Sequence, residues 1–457
     1  MELKMIGFFL CICLLPVLCA TAPVQAAPLD TARLPGTSEA MLQAKFWIDR
    51  TASPHQVLLT PAEIEAFNRS ITAMMPQTMM DLDQFPDSID RARLQRWLAV
   101  ERIPRNAERY SDGEPVSEAV YDQLAQNLNL RGLRDMNPVA WGFTVRRTDL
   151  RTFPTLAASS EEENSDDFDL FQETAVNIAE PVAVLHRSAD AAWMYVQMYN
   201  YRGWLRSADV ALSSSRRAWR EKWKTESFLV ITGTKVAPRE SVMGQPVPDW
   251  RAGMGTRLPF LGMEKAGYAI EIPQRGADGL VVWRRAWIHG KADVSTGYLP
   301  YTRAHILRQA FKMLGENYGW GGLNEGRDCS SFIMDIYNVF GIHSPRNADQ
   351  QEKVPGRQIA FQGISDSPTR YALLARRAEP GATLHMRNHV MLYLGEESGK
   401  HYAIHSLGSY GDAAEPHDDG TLPRVEVMRV VVGGLDVTLR SGRRFIDVLT
   451  SANVWRP

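Results

Sequence analysis

Cys329 is the residue of this chain best suited to nucleophilic chemistry. The sequence holds four cysteines, and Cys11, Cys13 and Cys19 lie in an N-terminal apolar run that is expected to be removed. The remaining thiol then has no partner in its own chain, which excludes an internal disulfide and a multi-cysteine metal site. Two readings are left, a reactive nucleophile and an inert buried residue. The stretch 317–335, NYGWGGLNEGRDCSSFIMD, favours the first. It opens with a glycine-rich turn over 319–326. After the cysteine, Phe332, Ile333, Ile336, Tyr337 and Phe340 recur at helical spacing. This predicts a helix with Cys329 at its N-terminus and Asp328 as its N-cap. Unpaired N–H groups and the helix dipole at such a terminus stabilise a thiolate, lower its pKa and can hold an oxyanion. The same pattern also suits a small buried cysteine on a helix.

A thiol nucleophile needs a base that takes its proton and later returns one to the leaving amine. The base needs a third group to fix its tautomer. Seven of the ten histidines follow Tyr301: His305, His343, His385, His389, His401, His405 and His417. His389 opens an apolar strand after a turn and is the expected base. His405, on the expected neighbouring strand with apolar residues on either side, is the expected orienting residue. His385 competes as base but precedes the turn. His401 competes as orienter but follows Gly399 and Lys400, and is expected at a loop edge. His343 and His417 read as ordinary loop residues, and His55 as structural. Only His385/His389 and His401/His405 are closely spaced, and neither pair falls on a convincing helix, so neither metal nor cofactor is expected. A helix carrying the cysteine against a sheet carrying the histidines is the plan of a papain-like cysteine hydrolase. The pair is expected to act as thiolate and imidazolium.

The rest of the chain has to position this machinery. Its 457 residues suggest three or four domains. With 44% hydrophobic and 23% charged residues and a net charge of -2, it reads as a soluble globular protein with no call for nucleic acid or electrostatic membrane binding. Residues 1–26 read as a signal peptide: Lys4, an apolar core broken by Pro16, then Val24-Gln25-Ala26 before the cut. Lipidation at Cys19 is disfavoured by the bulky Leu18. No other stretch is long and apolar enough to span a bilayer. The mature chain is therefore expected to be exported, periplasmic or secreted, and monomeric. Residues 27–135 read as helical, with a capping box at Thr60 and Glu63. Over 136–215 short alternating strands with glycine and proline turns predict a small antiparallel barrel. The segment 216–224 reads as a basic bridge, 225–300 as a second barrel, and 301–457 as the catalytic domain. The fold class is thus α+β and multi-domain.

Particular runs carry a resemblance. Arg151-Thr152-Phe153-Pro154-Thr155, the strand Trp193-x-Tyr195-Val196 and the closing Gly203-Trp204 resemble a bacterial SH3-like module. Tyr318-x-Trp320-Gly321-Gly322, Asp328-Cys329-Ser330-Ser331, Ser344-Pro345-Arg346, His389-Val390-x-x-Tyr393-Leu394-Gly395 and Ile404-His405-Ser406 resemble the NlpC-type cell-wall cysteine peptidases. The order Cys, His, His matches that group, and the helical segment with two SH3-like modules resembles its multi-domain members. The resemblance implies cleavage of the γ-D-glutamyl–diamino acid bond (meso-diaminopimelate) in peptidoglycan stem peptides. It implies Cys329 as nucleophile, His389 as base and His405 as orienter. Tyr318 would complete the oxyanion hole, and Asp328 and Ser330 would hold the L-alanine and D-glutamate end. Arg346 would meet the D-glutamate α-carboxylate as a guanidinium fork. Where members often carry a serine two residues after that arginine, this chain has Ala348, so one substrate hydrogen bond is either missing or supplied by Asn347 or Asp349. Relatives select stems with a free L-alanine amine through the first barrel, where Asp149 is the candidate acid. An N-acetylmuramoyl-L-alanine amidase is the alternative within hydrolases, and a non-catalytic wall-binding protein the alternative outside them.

Overall fold

In the computed structural model, the described residues are 32–456 apart from 99–101, 164–167, 242, 266 and 415. The expected signal segment, including Cys19, lies outside them. The chain is α+β, with three larger antiparallel sheets in sequence and helices around them.

The N-terminal segment is helical where its caps predict. Thr60 and Glu63 form the capping box at the head of the helix Pro61–Met74, with Thr60 N donating to Glu63 Oε2 at 2.7 Å. The segment's apolar faces go to two different neighbours. Met41, Trp47, Ile64, Phe67 and Ile71 share a core with Tyr301, Phe332 and Ile336 of the C-terminal third. Strand Val57–Leu59 pairs with Tyr301–Thr302 in the same region. Leu94, Tyr121, Leu124 and Leu128 instead share a core with Trp141, Phe143 and Trp204 of the first barrel.

That barrel is a seven-stranded antiparallel sheet in the order Val210–Leu212, Ala140–Thr144, Pro181–Arg187, Trp193–Gln197, Arg202–Arg206, Thr148–Arg151, Gln172–Val176. The segment expected as a polar bridge is a helix, Arg216–Trp223, capped by Ser215. Its one buried residue, Trp219, lies 4.4 Å from Trp141 between ring centroids and donates to Gly142 O. Charged residues fill five of its eight positions, so a helix with a single buried anchor looked like a linker. A five-stranded antiparallel sheet follows, built mainly from Arg257–Glu264, Gly267–Arg275 and Val281–His289.

The C-terminal part sets the helix Cys329–Asn338 against a six-stranded antiparallel sheet. In order, its strands are Arg357–Ala360, Ser451–Val454, Thr383–Met386, His389–Glu397, Lys400–Gly411 and Arg424–Gly434. Phe332, Ile333 and Ile336 of the helix pack on Val390, Leu392 and Ile404 of the sheet.

The turn before the helix is held from both sides. Gly321 and Gly322 sit at φ +54° and +85°, where glycine alone is unstrained. They lie against strand Gln172–Val176 of the first barrel: a Cβ on Gly322 would stand 2.5 Å from Ala175 Cβ. Gln172 Nε2 donates to Gly321 O at 3.0 Å, and Arg147 donates to Gly322 O. On the other side Lys235 and Arg251 pair with Glu325, and Arg327 donates to Thr234 O at 3.0 Å. Gly322→Ala should therefore cost about 1–2 kcal/mol of backbone strain and also push the first barrel off the turn. The expected result is a lower Tm together with slowed alkylation of Cys329; an unchanged Tm would show that the turn relaxes freely.

Candidate active site

Asp328 organises the helix start. Its Oδ1 accepts from Ser331 N at 2.8 Å, which is the N-cap bond, and from Ser330 Oγ at 3.1 Å. Its Oδ2 accepts from Gly321 N at 3.0 Å and from Arg346 Nη2 at 2.6 Å. Arg346 also reaches Asp328 Oδ1 at 3.1 Å, Ser330 Oγ at 2.7 Å and, across the domain boundary, Thr174 Oγ1 at 2.6 Å. Both are buried, Arg346 to 3% exposure. Burial alone would raise the Asp328 carboxyl, but the Arg346 guanidinium outweighs it and holds the pKa below the usual carboxylate value.

Cys329 follows as the first residue of the helix. Its sulfur lies close enough to the Val390 and Ser330 amides to be stabilised by both. Val390 follows His389, which opens its strand after a turn at Asn388 (φ +61°). His389 Nε2 and His405 Nδ1 are 2.7 Å apart. With Nε2 engaged there, Nδ1 is the nitrogen of His389 left to take a proton from the thiol. The competitors stand elsewhere. His385 is buried with Nε2 on Thr383 Oγ1 at 2.8 Å. His401, expected at a loop edge, is a core residue stacked between Tyr371 and Tyr393, with Nδ1 on the Tyr393 hydroxyl at 2.7 Å. The long strand pairing with Arg424–Gly434 draws it in.

Tyr318 is half-buried at the turn. Burial, followed by the charges of Cys329 and Asp328, raises its phenol, so it stays a hydrogen-bond donor. Phe168 of the first barrel lies against Tyr318 and Trp320, with ring centroids 6.1 and 5.6 Å away. Asp149 reaches this wall indirectly: Gln172 Nε2 bridges Asp149 Oδ1 at 2.9 Å and Gly321 O. Sequence reasoning missed Thr174 and Gln172, whose roles exist only across the domain boundary. It also missed Glu173, which accepts from the Tyr201 and Thr152 hydroxyls, both at 2.5 Å. Its alternation in a strand of a predicted barrel was the one available signal. Among the described residues, no group of three His, Cys, Asp or Glu side chains could hold a metal ion.

The electrostatics overturn the expected thiolate. Burial pushes the Cys329 thiol up to about 12, and the Asp328 charge adds to it; the Val390 amide, Arg346 and the Ser330 amide offset only part. Burial also takes His389 down to about 4, with His385 adding. The substrate-free pair therefore rests as thiol and imidazole, because burial of the sulfur outweighs the helix N-terminus.

The fold and site define a papain-like cysteine hydrolase domain behind barrel modules. Residues 315–413 match the NlpC/P60 family, and residues 154–206 match an SH3 domain of the SH3b1 type. Among solved structures, a novel NlpC/P60 endopeptidase from Photobacterium damselae subsp. piscicida is 15% identical, over 87% of this chain and 95% of that one, with a TM-score of 0.69. An NlpC/P60 family protein from Bacillus cereus ATCC 10987 is 17% identical, over 63% of this chain and 83% of that one, with a TM-score of 0.41. No curated protein matches. The chain thus carries an NlpC/P60 domain, of a family of cysteine peptidases and hydrolases, with an SH3b1-type module ahead of it.

Two measurements follow. With a thiol pKa near 12, alkylation of Cys329 by iodoacetamide should climb about tenfold per pH unit between about pH 6 and 9, as the thiolate fraction does. A rate independent of pH would mean a resting thiolate–imidazolium pair. The second concerns stability. His343, His385 and His389 are each held by burial near a pKa of about 4, against 6.5. They are neutral when folded and protonated when unfolded, so their stabilisation is present above 6.5 and is lost as pH falls toward 4. Each loses about 2 kcal/mol between about pH 7 and 5. Glu180, raised by burial to about 7, acts with the opposite sign and cancels roughly one of the three. The urea midpoint should be lower at pH 5 than at pH 7; an equal or higher midpoint would contradict burial of neutral imidazoles.

Proposed function

We propose that the protein is an exported, cofactor-free peptidoglycan endopeptidase, monomeric and periplasmic or secreted. It cuts the γ-D-glutamyl–diamino acid bond of stem peptides with a free N-terminal L-alanine. The observation that supports this reading is that the NlpC/P60 match spans Cys329, His389 and His405, with Cys329 at the head of one buried helix beside the Val390 amide and His389 Nε2 2.7 Å from His405 Nδ1. Among the described residues no helix is long and apolar enough to cross a membrane. The working units are 27–135, 136–215, 225–300 and 301–457.

In this reading Cys329 Sγ attacks the γ-carbonyl carbon as His389 Nδ1 takes the thiol proton. The His389 Nε2–H donates to His405 Nδ1, which fixes the tautomer and steadies the imidazolium as it forms. The Cys329 N–H and the Tyr318 hydroxyl receive the developing oxyanion. The imidazolium then protonates the leaving amine of the diamino acid, and water, activated by His389, hydrolyses the thioester. Asp328, Ser330 and Arg346 line the D-glutamate side. The four donors of Arg346 already in use leave one Nη2–H for a substrate carboxylate. In this reading the barrel acids Asp149 and Glu173 would select a free L-alanine amine.

Product mass spectrometry with L-Ala-γ-D-Glu-meso-diaminopimelate tests the reading. Wild type should release L-Ala-D-Glu, and Cys329→Ala should not. Release of intact stem peptide from muropeptides would indicate the amidase. Retained wall binding without cleavage by either chain would indicate a binding protein. Cleavage by both chains would remove Cys329 from the nucleophile's role.

A further inference from the structure

The cysteine helix has a second functional end. Cys329 starts it and Asn338 closes it, about 14 Å away at 1.5 Å per residue. Around Asn338 lies a cleft of about 1260 Å³, lined by the helix Pro61–Met74, both barrels and the catalytic domain. Charged residues such as Glu65, Arg69, Lys224 and Glu226 are exposed at its rim. Its inner wall includes Glu180 and Tyr199 of the first barrel, Thr256 of the second, and Asn338.

These inner residues form a cluster. Gly255, at φ +82°, brings the second barrel onto the helix end: a Cβ there would stand 2.6 Å from Asn338 Cβ, and Thr256 is the next residue. Tyr199 is within hydrogen-bonding reach of Asn338 and feels the charge of Glu180. What the cluster presents is mainly hydrogen-bond acceptors. Thr256 Oγ1 and Asn338 Oδ1 are enclosed without a partner. Among the described residues no hydrogen bond or ion pair reaches the Glu180 carboxyl, which burial perturbs. Nearby cations are committed elsewhere: Lys222 to Glu271 at 2.5 Å, Lys224 to Asp83 at 2.9 Å, and Arg257 to the Phe228 ring and Thr225 O. His343, which lines the same cleft, packs at a tilt against Tyr199 and is kept neutral by burial.

Enclosed acceptors without donors are costly. A ligand that satisfies several of them at once must bring several donors and a positive charge. We propose that this cluster is a binding site for a primary alkylammonium. Its three N–H donors would meet Glu180, Asn338 Oδ1 and Thr256 Oγ1, and its aliphatic stem would lie along Ile178, Leu299 and Phe340, which line the same cleft. The side-chain end of a diamino acid in a wall peptide supplies such a group; that source, though not the ammonium chemistry, rests on the proposed function.

The test titrates the full chain with n-pentylammonium and with 1-pentanol, which has the same stem and no charge, following chemical shifts by NMR. Saturable binding of the amine is expected, weakened roughly tenfold or more by Glu180→Gln and by exchanging amine for alcohol. Glu180→Gln removes a carboxyl whose ionised form burial disfavours, so it should keep or raise the wild-type Tm and leave the Cys329 alkylation rate unchanged. If the Tm falls, Thr256→Val, which removes one acceptor, carries the same comparison. Absence of saturable amine binding, equal binding of alcohol and amine, or amine binding unchanged by both variants would overturn the site. A second arm titrates L-Ala-γ-D-Glu-meso-diaminopimelate into Cys329→Ala. Two sites there, and one after adding Glu180→Gln, identify the wall peptide as the source. One site in both, with pentylammonium still bound, upholds the ammonium site and assigns it another amine. Failure of wild type to cleave the peptide would strike the endopeptidase reading and leave the pentylammonium result standing.

Discussion

The buried pair of Asp328 and Arg346 is the constraint on which the rest of this structure depends. One carboxylate caps the Cys329 helix, fixes the glycine turn through Gly321 N and accepts the guanidinium, through five hydrogen bonds in all. The guanidinium carries the link onward to Ser330 and to Thr174 of the first barrel. A buried ion pair adds little net stability over an apolar pair of similar size, whereas losing one partner strands a charge at roughly 3–5 kcal/mol. Its value here is geometric. It gives the helix N-terminus, the oxyanion side of the turn and the barrel wall one common anchor, so none can shift alone.

The same enclosure decides the state of the nucleophile. A helix N-terminus in water would favour the thiolate. This one is covered by the histidine strand on one side and bordered by Asp328 on the other, and desolvation dominates. In the proposed reaction, proton transfer would then be coupled to attack on the carbonyl, and His405 would matter more, because it would steady an imidazolium that burial disfavours. The barrels contribute to this dryness. Phe168 against Tyr318 and Trp320, and Gln172 against Gly321, leave the turn little contact with solvent.

Local signals in the sequence carried much of the fold and the core of the site. Asp328 before an apolar period of 3.6 marked the helix start, and the strand–turn–strand around Asn388 placed His389 at a strand's first residue. Thr60 and Glu63 announced their helix by reciprocal bonding. What stayed hidden depends on distant partners. Thr174, Gln172 and Glu173 are ordinary strand residues until the barrel meets the turn. Helix Arg216–Trp223 has a single buried side chain, with only Trp223 beside it on the same face, and so too short an apolar stripe to detect. His401 looked exposed because its neighbours are Gly399 and Lys400; two tyrosines from elsewhere in the fold bury it. The thiol's pKa was misjudged for a related reason: a helix terminus is visible in sequence, but the depth of its burial is not.

The N-terminal segment closes the argument about how such a site is kept rigid. Its first half completes the core beneath the cysteine helix, with Phe67 and Ile71 in one cluster with Phe332 and Ile336. Its second half completes the core of the first barrel, with Leu94 and Leu124 beside Trp141 and Trp204. One continuous segment thus belongs to both bodies whose relative position sets the active-site wall. Apolar burial of this kind has no direction of its own, so it supplies cohesion without register. Register comes from the polar contacts across the boundary, Arg346 to Thr174 and Gln172 to Gly321. The two act together: cohesion from the strap keeps the boundary dry, and in a dry boundary each misplaced donor costs its full desolvation penalty. That cost holds a site built from two domains to a single geometry.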